Sequence, residues 1–402
     1  MAAPLLPVAA ARKLIIDDLS PLPAETVKLS EALGRTLRAD AVAGVSHPPA
    51  DVSAMDGFAV RVADVSSAPQ VLRVVGESAA GHPYKGNIGA GEAVRIFTGA
   101  YVPAGADAIV LQEDIDGGGS HVMVKEAPTL GRHIRRAGQD FRTGETVLTA
   151  PRVLTARDIG LLAAMNLPRL SVGRRPVVGV LSTGDEVVLP GDSVAEGQIV
   201  SANGPGISAF IAAHGGEPFD LGVVKDDPKA LLRVAESARH LDMLVTSGGV
   251  SVGDYDVVKD ALSEAGFKVG FHKIAMRPGK PLLYGRLHAL PVLGLPGNPV
   301  SAMVCAVLFL GPALARLQGR AGDAPEQSAA RLSIDLKAND SRTDHIRAKL
   351  THQPGDLPIV KPFGTQDSAQ LATLARADAL IVREPGAPTA KGGDVVSVIS
   401  LN

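Results

Sequence analysis

Residues 241–254 read LDMLVTSGGVSVGD, and the placement of this stretch decides the architecture. The run 241–247 is short, apolar and bounded by turn residues, which predicts a buried strand. SGGVSVGD then leaves that strand and enters a segment, 257–264, patterned as a helix. Its glycines let the backbone approach an oxyanion with amide N–H groups turned toward it. The Gly-Lys-Ser/Thr ending of a Walker A loop is absent.

The same strand–turn–helix pattern extends to both sides. PVVGVLS (176–182) ends in Thr183-Gly184-Asp185-Glu186, and a helix pattern over 204–214 stops at Gly215-Gly216. DLGVV (220–224) ends in Asp226-Asp227 before a second helix over 228–239. FKVGFHKIAM (267–276), PLLYG (281–285) and PVLGLPG (291–297) supply further strands, and a helix follows over 299–317. Strands alternating with helices predict a doubly wound, mostly parallel α/β domain over 174–320.

The flanks read differently. Residues 43–148 alternate short β-type runs, such as VLRVVG, EAVRIFTG and DAIVLQED, with Gly/Pro turns, a β-rich insertion domain. Residues 1–42 with 149–173 read as a helical linker or dimerisation region, with helix-forming texture over 9–38 broken at Pro21 and Pro23 and a short helix over 155–165. After the linker GRAGDAPEQSAA, residues 330–402 read as a small, barrel-like β domain. The expected whole is a multidomain α/β protein, as suits 402 residues.

Composition narrows the function classes. The chain is 46% hydrophobic and 20% charged, which excludes a disordered chain. A net charge of -2 gives no general affinity for nucleic acid or acidic membranes. The single cysteine, Cys305, excludes a disulfide scaffold and a cysteine-based zinc site, and the histidines form no HExxH pattern. The start lacks a basic segment ahead of its apolar run, so no secretory signal is expected. The apolar stretch 302–315 is shorter than the roughly 20 residues of a spanning helix and contains Pro312, which predicts a buried core helix and a cytoplasmic protein.

In an open parallel sheet, ligands bind outside the carboxyl ends of the strands. Four predicted strand ends carry acids or Gly/Pro turns: 183–186, 226–227, 248–256 and 296–299. Side by side they make a rim holding an anion cradle (Ser247, Gly248, Gly249, Gly253) and carboxylates (Asp185, Glu186, Asp226, Asp227, Asp254, Asp256). Hard cations such as Mg²⁺ take one or two carboxylates plus water and substrate phosphate, so the acids predict a magnesium site. In LPGNPVSA, Pro296 and Gly297 form the turn, Asn298 is a suitable N-cap and Pro299 suits the first helical position. Lys273, Arg277 and Lys280 are cations suited to phosphate or a tetrahedral oxyanion, equally readable as solvated surface charges. Asp56, Thr98 and Asp140 read locally as polar residues in turns.

SAMDGFAV (53–60), RIFTGA (95–100), RRAGQDF (135–141), STGDEV (182–187), SGGVSVGDYD (247–256), RPGKP (277–281) and GLPGNPVSA (294–302) occur in that order. This ordered set resembles the molybdopterin molybdenumtransferases, the MoeA family that includes the E-domain of gephyrin, and spans nearly the whole chain. The resemblance implies an elongated, four-part homodimer that takes adenylylated molybdopterin and molybdate with Mg²⁺, releases AMP and forms molybdenum cofactor. It implies a cleft completed across the dimer, with the MDG region of one chain facing the α/β domain of the other. It also implies transient contact with other cofactor-biosynthesis proteins and apo-molybdoenzymes. Asp56, Thr98, Asp140, Glu186, Asp226, Asp256, Lys273, Pro296 and Pro299 match functional positions of the family, with Lys280 an addition; Glu186, Asp226 and Asp256 would place the metal. The chain departs from the family pattern at Ala50, Val52 and Phe58, and has Arg277 where the family has a lysine. Two alternatives stay open from sequence: the related adenylyltransferase step and a non-catalytic scaffold.

Overall fold

The computed structural model describes residues 5–249 and 262–401, and contacts divide the chain into two compact units, 26–172 and 1–25 with 173–402. In the first unit a six-stranded sheet runs in the order Ala108–Leu111, Gly57–Val60, Glu92–Ile96, Gln70–Ser78, His121–Val124, Ile115–Gly118. Its alternating side chains bury two apolar layers, one around Val60, Leu72 and Val122 and the other around Ala59, Val94 and Ile109. A four-stranded sheet of Ala24–Lys28, Arg169–Gly173, Thr36–Leu37 and Arg152–Val153 accompanies the helix Ala156–Ala164. That helix starts at a reciprocal cap: Thr155 Oγ accepts from Asp158 N, and the Asp158 carboxylate accepts from Thr155 N.

The helical texture expected over 9–38 holds only in its first half. The helix α1 spans Val8–Asp18, and the rest forms the strand Ala24–Lys28 and a 3₁₀ turn, Leu29–Glu31. Pro21 and Pro23 remove two amide donors, β-branched Thr26 and Val27 favour extension, and Gly34 turns the chain at φ +74°.

The second unit contains the doubly wound sheet. Its strands are β1 (Val177–Thr183), β2 (Glu217–Val224), β3 (Met243–Ser247), β4 (Phe267–His272), β5 (Leu283–Leu287) and β6 (Leu290–Leu295). Their spatial order is β2-β1-β3-β6-β5-β4; the first four are mutually parallel, while β5 pairs antiparallel with both β6 and β4. The chain leaves β1 toward β2 and returns to the other side as β3, which puts a topological switch point beside β1. Alternate side chains separate two cores. Val178, Val180, Met243, Val245, Leu293 and Leu295 pack with α1, α2 (Asn203–Ala213) and α4 (Pro299–Leu317). Leu181, Leu244 and Val292 pack with α3 (Pro228–Ser237) on the opposite face.

α4 covers the predicted 299–317. Its 19 residues have the length and composition to cross a membrane, but 72% of its most apolar window is buried, as in a core helix. Residues Ala306–Leu310 form a π-helical segment ahead of Pro312, whose missing donor interrupts the α-helical ladder there. The C-terminal strands β7 (Gln327–Leu332), β8 (Thr343–Thr351), β9 (Ile359–Pro362), β10 (Ala379–Arg383) and β11 (Val395–Ser400) close into a barrel in the order β8-β9-β7-β11-β10-β8. Leu380, Val382 and Ile399 share a core with α1 and α4, so barrel and α/β sheet form one body.

Candidate functional site

The carboxyl ends of β1, β2, β3 and β6 converge on one cavity of about 730 Å³, as expected for a parallel sheet at its switch point. Gly184 and Glu186 follow β1, Asp226 follows β2, Ser247, Gly248 and Gly249 end β3, and Pro296, Gly297, Asn298 and Pro299 follow β6; all of them line it. Gly248 is at φ +97°, and a Cβ there would lie 2.3 Å from the Thr183 carbonyl oxygen, so no other residue fits without displacing β1.

The loops are tied together by Asn203, the first residue of α2. Its Nδ2 donates to Ser247 Oγ at 2.8 Å and to the Gly297 carbonyl at 2.7 Å. Ser247 Oγ in turn donates to the Pro296 carbonyl at 3.3 Å. Sequence reasoning passed over Asn203; the available signal was an Asn opening the helix after a strand-end turn. Asn298 stands at the N-cap position of α4 as expected, but its side chain makes no capping bond and donates instead to Ser368 Oγ at 2.8 Å. The Ser368 carbonyl accepts from Val300 N at 3.0 Å, and Ala369 lines the cavity. The loop after β9 therefore closes one wall, a contribution no local pattern announces. Inside, Thr183 Oγ1 is buried and has no hydrogen-bond partner among the described residues, a polar group left over for a ligand.

The carboxylates are crowded. Burial raises the pKa of Asp226, and the negative charges of Asp185 and Glu186 raise it further. Asp185 Oδ1 accepts from Asp226 N at 3.2 Å, and Asp227 caps α3 by accepting from Lys229 N at 3.0 Å. Asp227 is thus accounted for by helix capping. Among the described residues no group of three His, Cys, Asp or Glu side chains is arranged to hold a metal ion. Gly253, Asp254 and Asp256 lie outside the described residues.

The three cations separate. Lys280 lines the cavity, while Lys273 and Arg277 are not among its walls. The expected strand 267–276 ends at His272, because Lys273 adopts φ +70° and redirects the chain. Met276–Arg277 then pairs with β8, where Arg277 forms ion pairs with Asp344 and, at 3.5 Å, with Asp340.

In the other unit, three motifs that read locally as turns come together around Ser53. Ser53 N donates to the Ala100 carbonyl at 2.9 Å, its carbonyl accepts from Gly99 N at 2.8 Å, and Ser53 faces Ile134 across a short antiparallel pair. Asp56 Oδ1 accepts from Thr98 N at 2.7 Å and from Thr98 Oγ1 at 2.8 Å. These two bonds, with the nearby positive charge of Arg95, hold the Asp56 pKa below the ordinary value although the side chain is exposed. Asp140 is exposed, and its amide donates to the His47 carbonyl at 3.0 Å.

Comparison with known proteins agrees over the whole length. Three family models match in order: the MoeA N-terminal region (domain I and II) at residues 6–166, the "Probable molybdopterin binding domain" at 179–316, and the MoeA C-terminal region (domain IV) at 329–401. A molybdopterin molybdenumtransferase of Haemophilus influenzae is 34% identical over 401 residues, covering 98% of both chains. One from Nostoc sp. is 36% identical over 386 residues, covering 94% of this chain and 88% of the relative. The crystal structure of a molybdopterin biosynthesis MoeA protein from Pyrococcus horikoshii superposes with a TM-score of 0.85 at 28% identity, covering 99% of this chain and 100% of that one. With the strand-end cavity, the ordered motifs and these full-length matches together, the chain belongs to the MoeA family, the molybdopterin molybdenumtransferases.

Proposed function

We propose that this chain is a transferase that inserts molybdenum into molybdopterin, taking adenylylated molybdopterin and molybdate and releasing AMP. The observation that carries the reading is the convergence of four strand ends on one cavity that pairs a Gly-rich phosphate cradle with Glu186 and Asp226. Backbone amides of 247–249, with the start of α4, hold phosphate oxygens by direct N–H donation. Asn203 keeps these loops in register, so the cradle is preorganised before substrate enters. Lys280 adds a point charge within the cavity.

The acids fit Mg²⁺. Asp226 is held above its ordinary pKa by burial and by Asp185 and Glu186, a repulsion that a divalent cation would relieve. Two protein carboxylates, Glu186 and Asp226, match the preference of Mg²⁺ for one or two carboxylates plus water and substrate phosphate, with Asp256 proposed as a further acid of the same rim. Bound there, the ion would neutralise charge developing on the pyrophosphate as the P–O bond to AMP breaks.

In this reading the protein acts as a cytoplasmic homodimer. Asp56, fixed by Thr98, and Asp140 face the rim of the partner chain. Release of AMP from adenylylated molybdopterin tests the reaction, and it is expected to require both molybdate and Mg²⁺. Glu186→Ala is expected to lower turnover about 100-fold with the protein still folded. AMP appearing equally fast without molybdate would overturn the reading. For the shared site, co-expressed Asp56→Ala and Asp226→Asn chains are expected to recover part of the activity that each variant lacks alone; no recovery in mixed dimers counts against it.

A further inference from the structure

A second cavity, of about 410 Å³, is lined by α1, the π-helical segment of α4 and the barrel, and shares no residue with the strand-end site. Its walls are largely apolar, with Leu5, Val8, Leu308, Val382 and Ile399. Three independent features give it the chemistry of an anion site. Arg12 is half-buried, its guanidinium has no ion-pair or hydrogen-bond partner among the described residues, and desolvation lowers its pKa. His345 is only 3% exposed, and its buried Nδ1 has no partner among the described residues. The 11-residue helix α1 begins here at Pro7 with no side-chain cap and no acidic residue in its first turn.

Each feature is costly when left alone. A desolvated guanidinium without a counter-charge is retained against the free energy of burial, and a straight apolar side chain would fill the space more cheaply. A buried imidazole N–H or N without a partner forfeits a hydrogen bond. An uncapped helix start leaves amide donors pointing outward. One negatively charged group would satisfy all three. Glu384 also lines the cavity, yet it makes no ion pair with Arg12, so it does not supply that group. Thr343 and His345, two apart on β8, face the same side and bring a hydroxyl and a ring nitrogen to one wall.

We propose that this cavity is a second ligand site, for a small organic carboxylate with a short apolar body. Arg12 would grip the carboxylate through its planar fork. His345, uncharged, would donate from Nδ1–H in the matching tautomer. The aliphatic walls would take the chain of the ligand, and the volume is that of a small-molecule pocket.

Isothermal titration calorimetry of the full-length protein with sodium hexanoate, hexanamide and hexylamine tests the site. Hexanoate is expected to bind once per chain, at least about tenfold more tightly than hexanamide, and hexylamine is expected to give no heat of binding. Arg12→Met and His345→Phe are each expected to weaken hexanoate at least about tenfold, with Arg12→Lys intermediate because it keeps the charge without the fork. Arg12→Met is expected to melt no lower than the parent when no carboxylate is present and to release AMP at the parental rate. Equal affinity for hexanoate and hexanamide, or undiminished hexanoate binding by folded Arg12→Met, overturns the proposal. Failure of the molybdenum reaction would leave these titrations unaffected, since they read binding alone.

Discussion

Asp56 and Asp226 are both exposed aspartates, and their surroundings push them in opposite directions. Asp56 accepts an amide and a hydroxyl from Thr98 and stays ionised below the usual range. Asp226 meets partial burial and two like charges, so its carboxylate form is disfavoured. A raised folded-state pKa contributes stability that is complete below the unfolded aspartate value and is lost as pH rises through the folded value. At neutral pH the ionised Asp226 therefore works against folding. Asp226→Asn is expected to melt higher by about a degree or two at pH 7.5, with the gain fading near pH 4, and to lose about 100-fold in AMP release. Melting curves across pH, paired with turnover, check this; a variant that gains no stability at neutral pH sinks the like-charge account. The proximity of Asp226 to other acids was legible from the strand-end rule. The partner of Asp56 was not, because Thr98 lies 42 positions away and reaches it only through packing of the Gly57–Val60 and Glu92–Ile96 strands.

Local patterning carried the secondary elements of the α/β domain well. Short apolar runs bounded by turn residues became β1, β2, β3 and β6, and the glycine pair ending α2 fell where expected. Two kinds of element escaped it. The strand expected to continue through 276 breaks at Lys273, since a positive φ in a non-glycine residue is imposed by tertiary contacts and has no compositional mark. The small ladder Val187–Val188 with Ile199–Val200, which walls the cavity, is too short for periodicity to register. The joint between elements is Asn203. Asn203→Ala suits the helix at least as well but removes both donors to Ser247 and Gly297. It is expected to cost about 1–2 kcal/mol in stability and about tenfold in kcat/KM for AMP release. Chemical denaturation with steady-state kinetics measures both. A stability loss with unchanged kinetics would make Asn203 structural alone.

At the scale of the molecule, the barrel and the α/β sheet are joined by a shared apolar core and by the Met276–Arg277 strand beside β8. Arg277 seals that joint through Asp344, a largely buried acid whose Oδ1 has no hydrogen-bond partner among the described residues. Arg277→Ala would leave this carboxylate without its cation and is expected to destabilise the protein by about 1–3 kcal/mol, with Arg277→Lys recovering part. Urea unfolding midpoints distinguish this structural role from a purely substrate-binding one, in which stability would not move.

The sequence by itself determined the order of elements, the parallel α/β class, the loops at the strand ends and, through its ordered motifs, the family. These follow from side-chain period, turn chemistry and local spacing, which act over a few residues. Tertiary structure alone decided that Lys280 lines the cavity while Arg277 turns to the barrel, that Ser368 reaches Asn298, and that Arg12 and His345 share a pocket across more than three hundred residues of chain. Those meetings depend on how whole elements pack and on which polar groups burial leaves unpaired. Neither is encoded within reach of a local pattern.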